Sequence, residues 1–136
     1  MEMENPMNKG SLFATVPKED YLSLFASSGK PDYQKVVELL EFKKKDVAKA
    51  SNVPEESVRY DQKMPKELQD RLTEWAMALA VVGRYFKDLQ KTVLWFKVPN
   101  PLLGNIAPRE MIRVGRFNKL FRFILNALNE NERRAA

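Results

Sequence analysis

The 136-residue sequence contains no cysteine and no histidine, and each absence excludes a class of site. Without cysteine there is no disulfide, no thiolate nucleophile and no cysteine-type zinc site. Without histidine the chain lacks the commonest general base, the commonest metal ligand and every Ser-His or Cys-His catalytic pair. Carboxylate pairs such as Glu55 and Glu56 show no metal-ligand spacing with other acids. We therefore expect a protein that is not an enzyme and that holds no metal and no cofactor.

Long apolar runs and a secretion signal are also absent from the sequence. No apolar stretch approaches the roughly 20 residues that a membrane span requires. The acidic residues 1–5 lack the basic and apolar regions of a signal peptide. Hydrophobic residues make up 44% of the chain and charged residues 30%, which is an ordinary balance for a globular protein. We expect a cytoplasmic protein without a membrane partner.

The formal net charge of +5 lies entirely in the C-terminal part of the chain. Residues 1–96 hold 15 basic and 15 acidic residues, whereas residues 97–136 hold eight basic residues against three acidic ones. Such a one-sided distribution favours an acidic partner. The alternative is a solvated helix face that arginines keep soluble, and the two interpretations stand equally at this point.

Turn signals and hydrophobic periodicity divide the chain into three parts and predict an all-α fold. Residues 1–31 contain several Pro, Gly and Ser turn signals and are predicted to form an irregular N-terminal arm with one short helix over residues 20–26. Residues 32–64 are predicted to form a helix-turn-helix unit. Residues 65–136 are predicted to form a long helix, shared between the two units, and a C-terminal helical domain.

The helix-turn-helix prediction depends on the spacing of a few residues. Asp32 suits the N-cap of a first helix. Further on, the small Ala48, the turn residue Asn52 and the apolar Val58 have the spacing of two short helices that cross through a tight turn. Such a pair occurs in DNA-binding proteins and as a plain core element. If it binds DNA, the predicted contact residues are Lys44, Lys45, Glu55, Ser57, Arg59, Tyr60 and Lys63.

The second helix of this unit is predicted to begin at Pro54, followed by two glutamates. Carboxylates near DNA phosphates weaken binding because that binding is mostly electrostatic. Their alternative role is to complement the positive end of the helix dipole.

A long helix over residues 65–91 is predicted by a seam of apolar residues with a period near 3.5. Small residues beside the seam, among them Gly83, leave room for a close neighbouring helix. An apolar run over residues 92–98 continues or caps this helix. The seam consists of Leu68, Leu72, Trp75, Leu79, Val82, Phe86 and Leu89.

A proline-rich loop over residues 98–108 separates the long helix from two further predicted helices. The first covers residues 109–114 and ends at Gly115, and the second covers residues 116–129, followed by a polar tail that is expected to fray. A basic stripe runs along these helices, and it is predicted to face solvent, an acidic partner or nucleic acid. It comprises Arg109, Arg113, Arg116, Lys119 and Arg122.

The string Trp-x-x-x-Pro-Asn-Pro-x-Leu-Gly-x-x-x-Pro-x-x-Met-Ile begins at Trp95. It resembles the toxin-binding signature of the Xre/MbcA/ParS antitoxin family. The order of elements, a helix-turn-helix followed by a long Trp-bearing helix, is similar as well. Gly115 falls where this family has a glycine before its last helix. The resemblance extends over residues 33–128.

The resemblance implies an all-α antitoxin of a type II toxin-antitoxin system, which binds and blocks a RES-domain toxin that degrades NAD⁺. It also implies that the helix-turn-helix unit often binds promoter DNA, and that the chain works as a homodimer or in a toxin-antitoxin hetero-oligomer. The alternative function is a DNA-binding regulator without a toxin partner. The residues expected to face the toxin are Asn100, Pro101, Leu102, Leu103, Gly104, Pro108, Arg109, Met111 and Arg113.

The loop that carries these residues has two uses that its sequence leaves open. Its prolines hold one backbone shape in advance, which suits a plug for another protein's cleft. Leu102 and Leu103 could instead fold back over Trp95 and close the core of the chain itself. Both can hold together if one leucine packs inward.

Overall fold

The computed structural model describes residues 20–135, and this part of the chain is helical without a β-strand. The all-α prediction is confirmed. Two short 3₁₀ turns, Glu55–Ser57 and Pro101–Leu103, lie between the α-helices. Residues 1–19 of the predicted N-terminal arm, which was expected over residues 1–31, lie outside the described residues. The α-helices are α1 (Tyr33–Leu40), α2 (Lys44–Ser51), α3 (Lys66–Phe86), α4 (Leu89–Lys97), α5 (Pro108–Arg113) and α6 (Phe117–Ala135).

The first two helices begin and end as the capping residues predict. The Asp32 carboxylate accepts a hydrogen bond from the Lys35 amide at 3.2 Å and so caps α1. Helix α2 ends at Asn52, which adopts the left-handed conformation at φ 61°. Asparagine tolerates this conformation better than most residues because its short polar side chain bonds locally.

The second helix of the predicted helix-turn-helix is much shorter than expected. After Asn52 the chain makes only the 3₁₀ turn Glu55–Ser57, and Val58 then adopts extended backbone and buries its side chain. The Asp61 carboxylate accepts a hydrogen bond from the Lys63 amide at 3.0 Å. This amide therefore bonds to a side chain and not to a helical carbonyl, and the segment is a loop. The expectation of an α-helix that begins at Pro54 is therefore wrong.

Helix α3 is the centre of the fold. Every residue from Trp75 to Gly83 is buried, and α1, α2, α4 and α6 all pack against this helix. The Phe42 ring packs edge-on against Trp75, with ring centroids 5.7 Å apart. One hydrophobic core therefore includes side chains from both the 32–64 and the 65–136 regions.

Helix α3 ends earlier than its apolar seam predicts. Lys87 adopts the left-handed conformation at φ 55°, and the Asp88 carboxylate accepts from the Lys91 amide at 2.8 Å to cap a new helix. The seam residue Leu89 consequently lies at the start of α4 and is 42% exposed. The single predicted helix over residues 65–91 is corrected to two helices, because a side-chain cap at Asp88 replaces the continuing helical hydrogen bonds.

Residues 20–32 form a closed loop and not the predicted helix over residues 20–26. The Asp20 carboxylate accepts from the Phe25 amide at 2.8 Å, and Ser23 has a positive φ of 53°. Phe25 then pairs with Pro31 in an isolated β-bridge. These bonds use the amides that a helix would need, so the short apolar run packs as a loop.

The small residues of α3 predicted a closely packed neighbouring helix. At Gly83, however, the nearest neighbour is the side chain of Leu22 from the 20–32 loop. Leu22 is buried, with 3% of its surface exposed. A Cβ atom added at Gly83 would lie 2.9 Å from the Leu22 Cγ atom. The loop therefore packs tightly on α3.

The two C-terminal helices follow the predicted pattern. Helix α5 ends before Gly115, which has φ 84°, and α6 buries Phe117, Leu120 and Ile124. Helix α6 continues to Ala135, although a frayed tail from residue 129 was expected. Glu130 and Arg133 form an i,i+3 ion pair on this extension, which adds local support.

We predict that Gly83→Ala lowers the melting temperature, although alanine is by about 1 kcal/mol the better helix former. The added methyl group overpacks against Leu22, and overpacking typically costs about 1–3 kcal/mol. In a Leu22→Ala background the same substitution should raise the melting temperature. Thermal unfolding of the four variants measures this coupling. Equal stabilisation in both backgrounds would contradict the close packing of the loop on α3.

Candidate functional site

A short loop after α4 is closed by hydrogen bonds around one asparagine. The Asn100 amide donates to the Ile106 carbonyl at 3.2 Å, and the Asn100 carbonyl accepts from the amides of Leu103 and Asn105, both at 2.9 Å. The Asn100 side chain accepts from the Leu102 amide at 2.9 Å. The loop over residues 98–106, here called the Asn100 loop, thus has a backbone fixed by its own bonds.

Glycine and asparagine reverse the chain at the far end of the Asn100 loop. Gly104 has φ 75° and Asn105 has φ 63°, both in the left-handed region. No atom lies within 4 Å of where a Cβ atom at Gly104 would be, so the backbone angle and not the available space favours glycine there.

The two leucines of the loop point in different directions. Leu102 is 79% exposed, more than any other large hydrophobic side chain of the described residues. Leu103 is half-buried and packs against the hydrophobic core. The two uses that the sequence left open are therefore divided between neighbouring residues: Leu103 closes the core and Leu102 is displayed.

A surface concavity beside the Asn100 loop combines basic and apolar side chains. We call it the Lys97–Arg116 groove. Ile106 and Val114 are exposed apolar members of its wall, at 39% and 50%. The groove is lined by Lys97, Pro99, Asn105, Ile106, Ala107, Arg109, Glu110, Met111, Val114 and Arg116.

Two basic residues of the groove converge on one glutamate from the other half of the chain. Glu41 follows α1 in the left-handed conformation, at φ 57°. Its carboxylate contacts the Lys97 ammonium at 2.9 Å and the Arg109 guanidinium at 3.4 Å. The Arg109 guanidinium also donates to the Leu40 carbonyl at 3.3 Å. Glu41 thus connects the end of α1 to both sides of the groove.

The Glu41 carboxylate is stabilised in its charged form by these cations. The hydrogen bond from Lys97 is the main cause that lowers the pKa of Glu41 below its ordinary value, and the charges of Lys97 and Arg109 add to it. Because the site is open to solvent, the effect on stability is small and sensitive to salt.

Two residues that the sequence placed on the partner surface lie inside the protein. Met111 is only 3% exposed and belongs to the hydrophobic core, and Pro108 is buried as the first residue of α5. Their side chains position α5, and Met111 lines the Lys97–Arg116 groove only with its small exposed fraction. Pro101 and Gly104 are exposed, whereas Asn100 is half-buried and organises the loop.

Two of the five residues of the predicted basic stripe form ion pairs, and the other three form none among the described residues. Arg109 bonds to Glu41 as described, and the Arg113 guanidinium lies 2.7 Å from the Glu110 carboxylate, which raises the pKa of Arg113. The side chains of Arg116, Lys119 and Arg122 are exposed and show no ion pair within residues 20–133. Phe117 and Phe121 are buried, so they are not available for stacking on nucleic-acid bases.

The residues predicted to contact DNA do not form a uniform basic surface. Arg59 bonds to the Asp61 carboxylate through two nitrogen atoms, a contact that raises the pKa of Arg59 and lowers that of Asp61. Tyr60 is half-buried, and burial raises its pKa. Ser57 is half-buried, whereas Lys44, Lys45, Glu55 and Lys63 are exposed. Lys44, Lys45 and Lys63 are therefore the exposed cations of this set that form no ion pair among the described residues, and Lys44 and Lys45 lie next to each other at the start of α2.

Sequence reasoning missed Glu41 and Lys97. The separation of 56 residues between them leaves no local pattern that announces their ion pair. The one available signal was the onset of positive charge at Lys97, which marked the region but not its partner.

Other kinds of site find no support in the described part of the chain. Among residues 20–135 no helix is both long and apolar enough to cross a membrane. The described side chains likewise include no cluster of three or more carboxylates that could hold a metal ion. The Asn100 loop and the Lys97–Arg116 groove form the candidate functional site because they combine the exposed Leu102 with neighbouring basic and apolar side chains.

We predict that Glu41→Gln lowers the melting temperature slightly at pH 7 and not in acid. A carboxylate with a depressed pKa contributes stability above its unfolded pKa, and this contribution is lost as the pH falls through the folded pKa. The difference between the two proteins should therefore shrink from pH 7 toward pH 3. Thermal unfolding across this range measures it, and a difference independent of pH would contradict the ion pairs with Lys97 and Arg109.

We predict that any affinity for promoter DNA depends on Lys44 and Lys45 more than on Arg59. Removing two phosphate contacts should reduce the slope of log K against log salt by about 2. Arg59→Gln should have little effect because Asp61 already neutralises that guanidinium. Fluorescence anisotropy at several salt concentrations tests this, with the exposed pair Lys87→Gln and Lys91→Gln as a charge-matched control. A larger loss from Arg59→Gln would contradict the prediction.

Comparisons of the chain with known proteins returned no match. No protein-family model, no curated protein and no solved structure matches it. The function is therefore inferred from the residues of the chain.

Proposed function

We propose that this chain is an antitoxin that binds a RES-domain, NAD⁺-degrading toxin and blocks its active site. The observation that carries the proposal is the display of Leu102, 79% exposed, on a loop whose backbone is fixed by Asn100. The same loop lies within the string, Trp95 to Ile112, that resembles the toxin-binding signature of Xre/MbcA/ParS antitoxins. Physical exposure and family resemblance thus point to one segment of the chain.

An exposed leucine on a fixed loop is a favourable anchor for a protein partner. Burying a leucine side chain is worth about 1.5–3 kcal/mol, and the chain forgoes this gain at Leu102 while unbound. Because the Asn100 loop is already ordered by its own bonds, little conformational entropy is lost when a partner covers it. A few side chains in well-packed, desolvated pockets near the centre of an interface commonly carry most of its binding energy.

The Lys97–Arg116 groove supports the same use of this surface. Its basic side chains lie next to exposed Ile106 and Val114, a mixture typical of an interface rim around an apolar centre. Complementary charge on the partner speeds association and selects the orientation of the complex. The proposed contact surface therefore comprises Leu102, the groove and the exposed part of Arg109.

Promoter binding is a second part of the proposal, carried by the exposed lysines of α2. Lys44 and Lys45 are suited to phosphate contacts, whereas the 3₁₀ turn at Glu55 presents carboxylates. Such contacts give affinity without base readout, so we propose that DNA binding requires a homodimer or a toxin-antitoxin hetero-oligomer. A regulator without a toxin is the alternative, and the gene beside this one distinguishes the two: a RES-domain product supports the antitoxin.

We predict that Leu102→Asp weakens binding of the proposed RES-domain partner by about thirtyfold or more, about 2 kcal/mol. The charge would be buried unpaired at the centre of the interface. Calorimetry on purified proteins measures the affinity, and cellular NAD⁺ during co-expression reports neutralisation. Leu89→Asp is the matched control because this leucine is also exposed but lies at the start of α4.

The melting temperatures of both variants should remain near that of the unmodified chain because both side chains are exposed. A Leu102→Asp protein that folds normally and still protects NAD⁺ would refute the role of the loop. Loss of protection by Leu89→Asp to the same degree would show that the contact lies elsewhere.

A further inference from the structure

We propose that Glu41 occupies a cation site which a carboxylate of the partner protein takes over when the complex forms. The site consists of Lys97, Arg109 and Arg116 on the wall of the Lys97–Arg116 groove. This inference rests on the proposed function in that it names the partner's chemistry at the same surface: an acidic side chain flanked by apolar ones.

Glu41 is held in a way that allows it to be replaced. Its side chain is 48% exposed, and its contact with the Arg109 guanidinium is long, at 3.4 Å. The ion pair with Lys97 is shorter, at 2.9 Å, but both side chains are reached by solvent. Exposed ion pairs of this kind are weak and screened by salt. A partner carboxylate that also gains apolar contacts can therefore displace Glu41 without a large cost.

The groove retains positive charge that Glu41 does not neutralise. Arg116 is exposed and has no ion pair within the described side chains. The other carboxylate on the wall, Glu110, already lies 2.7 Å from Arg113. The groove wall thus carries three cations, Lys97, Arg109 and Arg116, and Glu41 contacts the first two of them. Guanidinium groups bind carboxylates through paired hydrogen bonds, which adds geometric selection to charge attraction.

The surroundings of the cations favour an acidic protein segment over nucleic acid. Pro99, Ile106 and Val114 line the same groove, and Ile106 and Val114 are exposed. A phosphate backbone gains nothing from covering such side chains, whereas an acidic and apolar segment buries them while it pairs with the arginines. Glu41 shows that a protein side-chain carboxylate can contact two of these cations, Lys97 at 2.9 Å and Arg109 at 3.4 Å.

The test uses the whole chain and a hexaglutamate peptide as the probe, titrated at low salt and followed by NMR of backbone amides and arginine side chains. Glu41→Gln frees the site, while Glu38→Gln is a control with the same change of net charge at an exposed position of α1. Arg116→Gln removes the groove cation that has no ion pair among the described side chains. Thermal unfolding confirms that each variant is folded.

Glu41→Gln should bind hexaglutamate about two- to fivefold more tightly than the unmodified chain, which is the competition expected of an exposed ion pair. Glu38→Gln should change the affinity little, and Arg116→Gln should weaken it. The largest shifts should occur at Lys97, Arg109 and Arg116. Equal gains for both glutamate variants, or shifts centred on Lys44 and Lys45, would overturn the proposal.

Toxin binding measured on the same variants separates this inference from the proposed function. If the chain binds hexaglutamate as expected but does not bind the RES-domain protein, the carboxylate site is supported and the antitoxin function is overturned. If the chain binds the RES-domain protein but Glu41→Gln leaves the hexaglutamate affinity unchanged, the antitoxin function is supported and the carboxylate site is overturned.

Discussion

The burial of α3 over nine consecutive residues is the constraint on which the rest of the structure depends. A helix that is apolar all round must be covered on every side, and the stretch from Trp75 to Gly83 leaves no polar face. Helices α1, α2, α4 and α6 supply the cover, and Leu22 fills the remaining position at Gly83. The N-terminal loop and the C-terminal helices are consequently parts of one core.

This packing also places the candidate site. Phe96 fixes the end of α4 in the core, and Met111 and Ile112 fix α5, so both ends of the connecting segment are anchored. Between these anchors the chain has only the Asn100 loop, which closes on itself through backbone bonds. A loop with anchored ends and internal bonds displays Leu102 in one position. The exposure of that leucine is thus a consequence of the fold and not of local disorder.

Periodicity and capping residues predicted most of the helices, and failed where a side chain competes with the backbone. The spacing of apolar residues located α1, α3 and α6, and Asn52 located the end of α2. The break after Phe86 was missed because the apolar spacing runs on from Phe86 to Leu89, although the Asp88 side chain caps a new helix between them. The loop at residues 20–32 was missed because the Asp20 carboxylate bonds to an amide five residues away.

The candidate site could be located from the sequence, but its internal organisation could not. The string from Trp95 to Ile112 marked the segment, while the opposite directions of Leu102 and Leu103 depend on the fold of the Asn100 loop. The bond between Arg109 and Glu41 joins residues 68 positions apart, and no local pattern encodes it. The sequence therefore predicted a partner surface with Met111 in it, whereas packing places that side chain in the core.

The central proposal is that the Asn100 loop and the Lys97–Arg116 groove form the surface that a RES-domain toxin covers. Amide hydrogen exchange of the full chain, alone and saturated with its proposed RES-domain partner, tests this proposal most directly. The account predicts slower exchange on binding within residues 98–116 and unchanged exchange within residues 44–60. Slower exchange within residues 44–60, with none within residues 98–116, would contradict it.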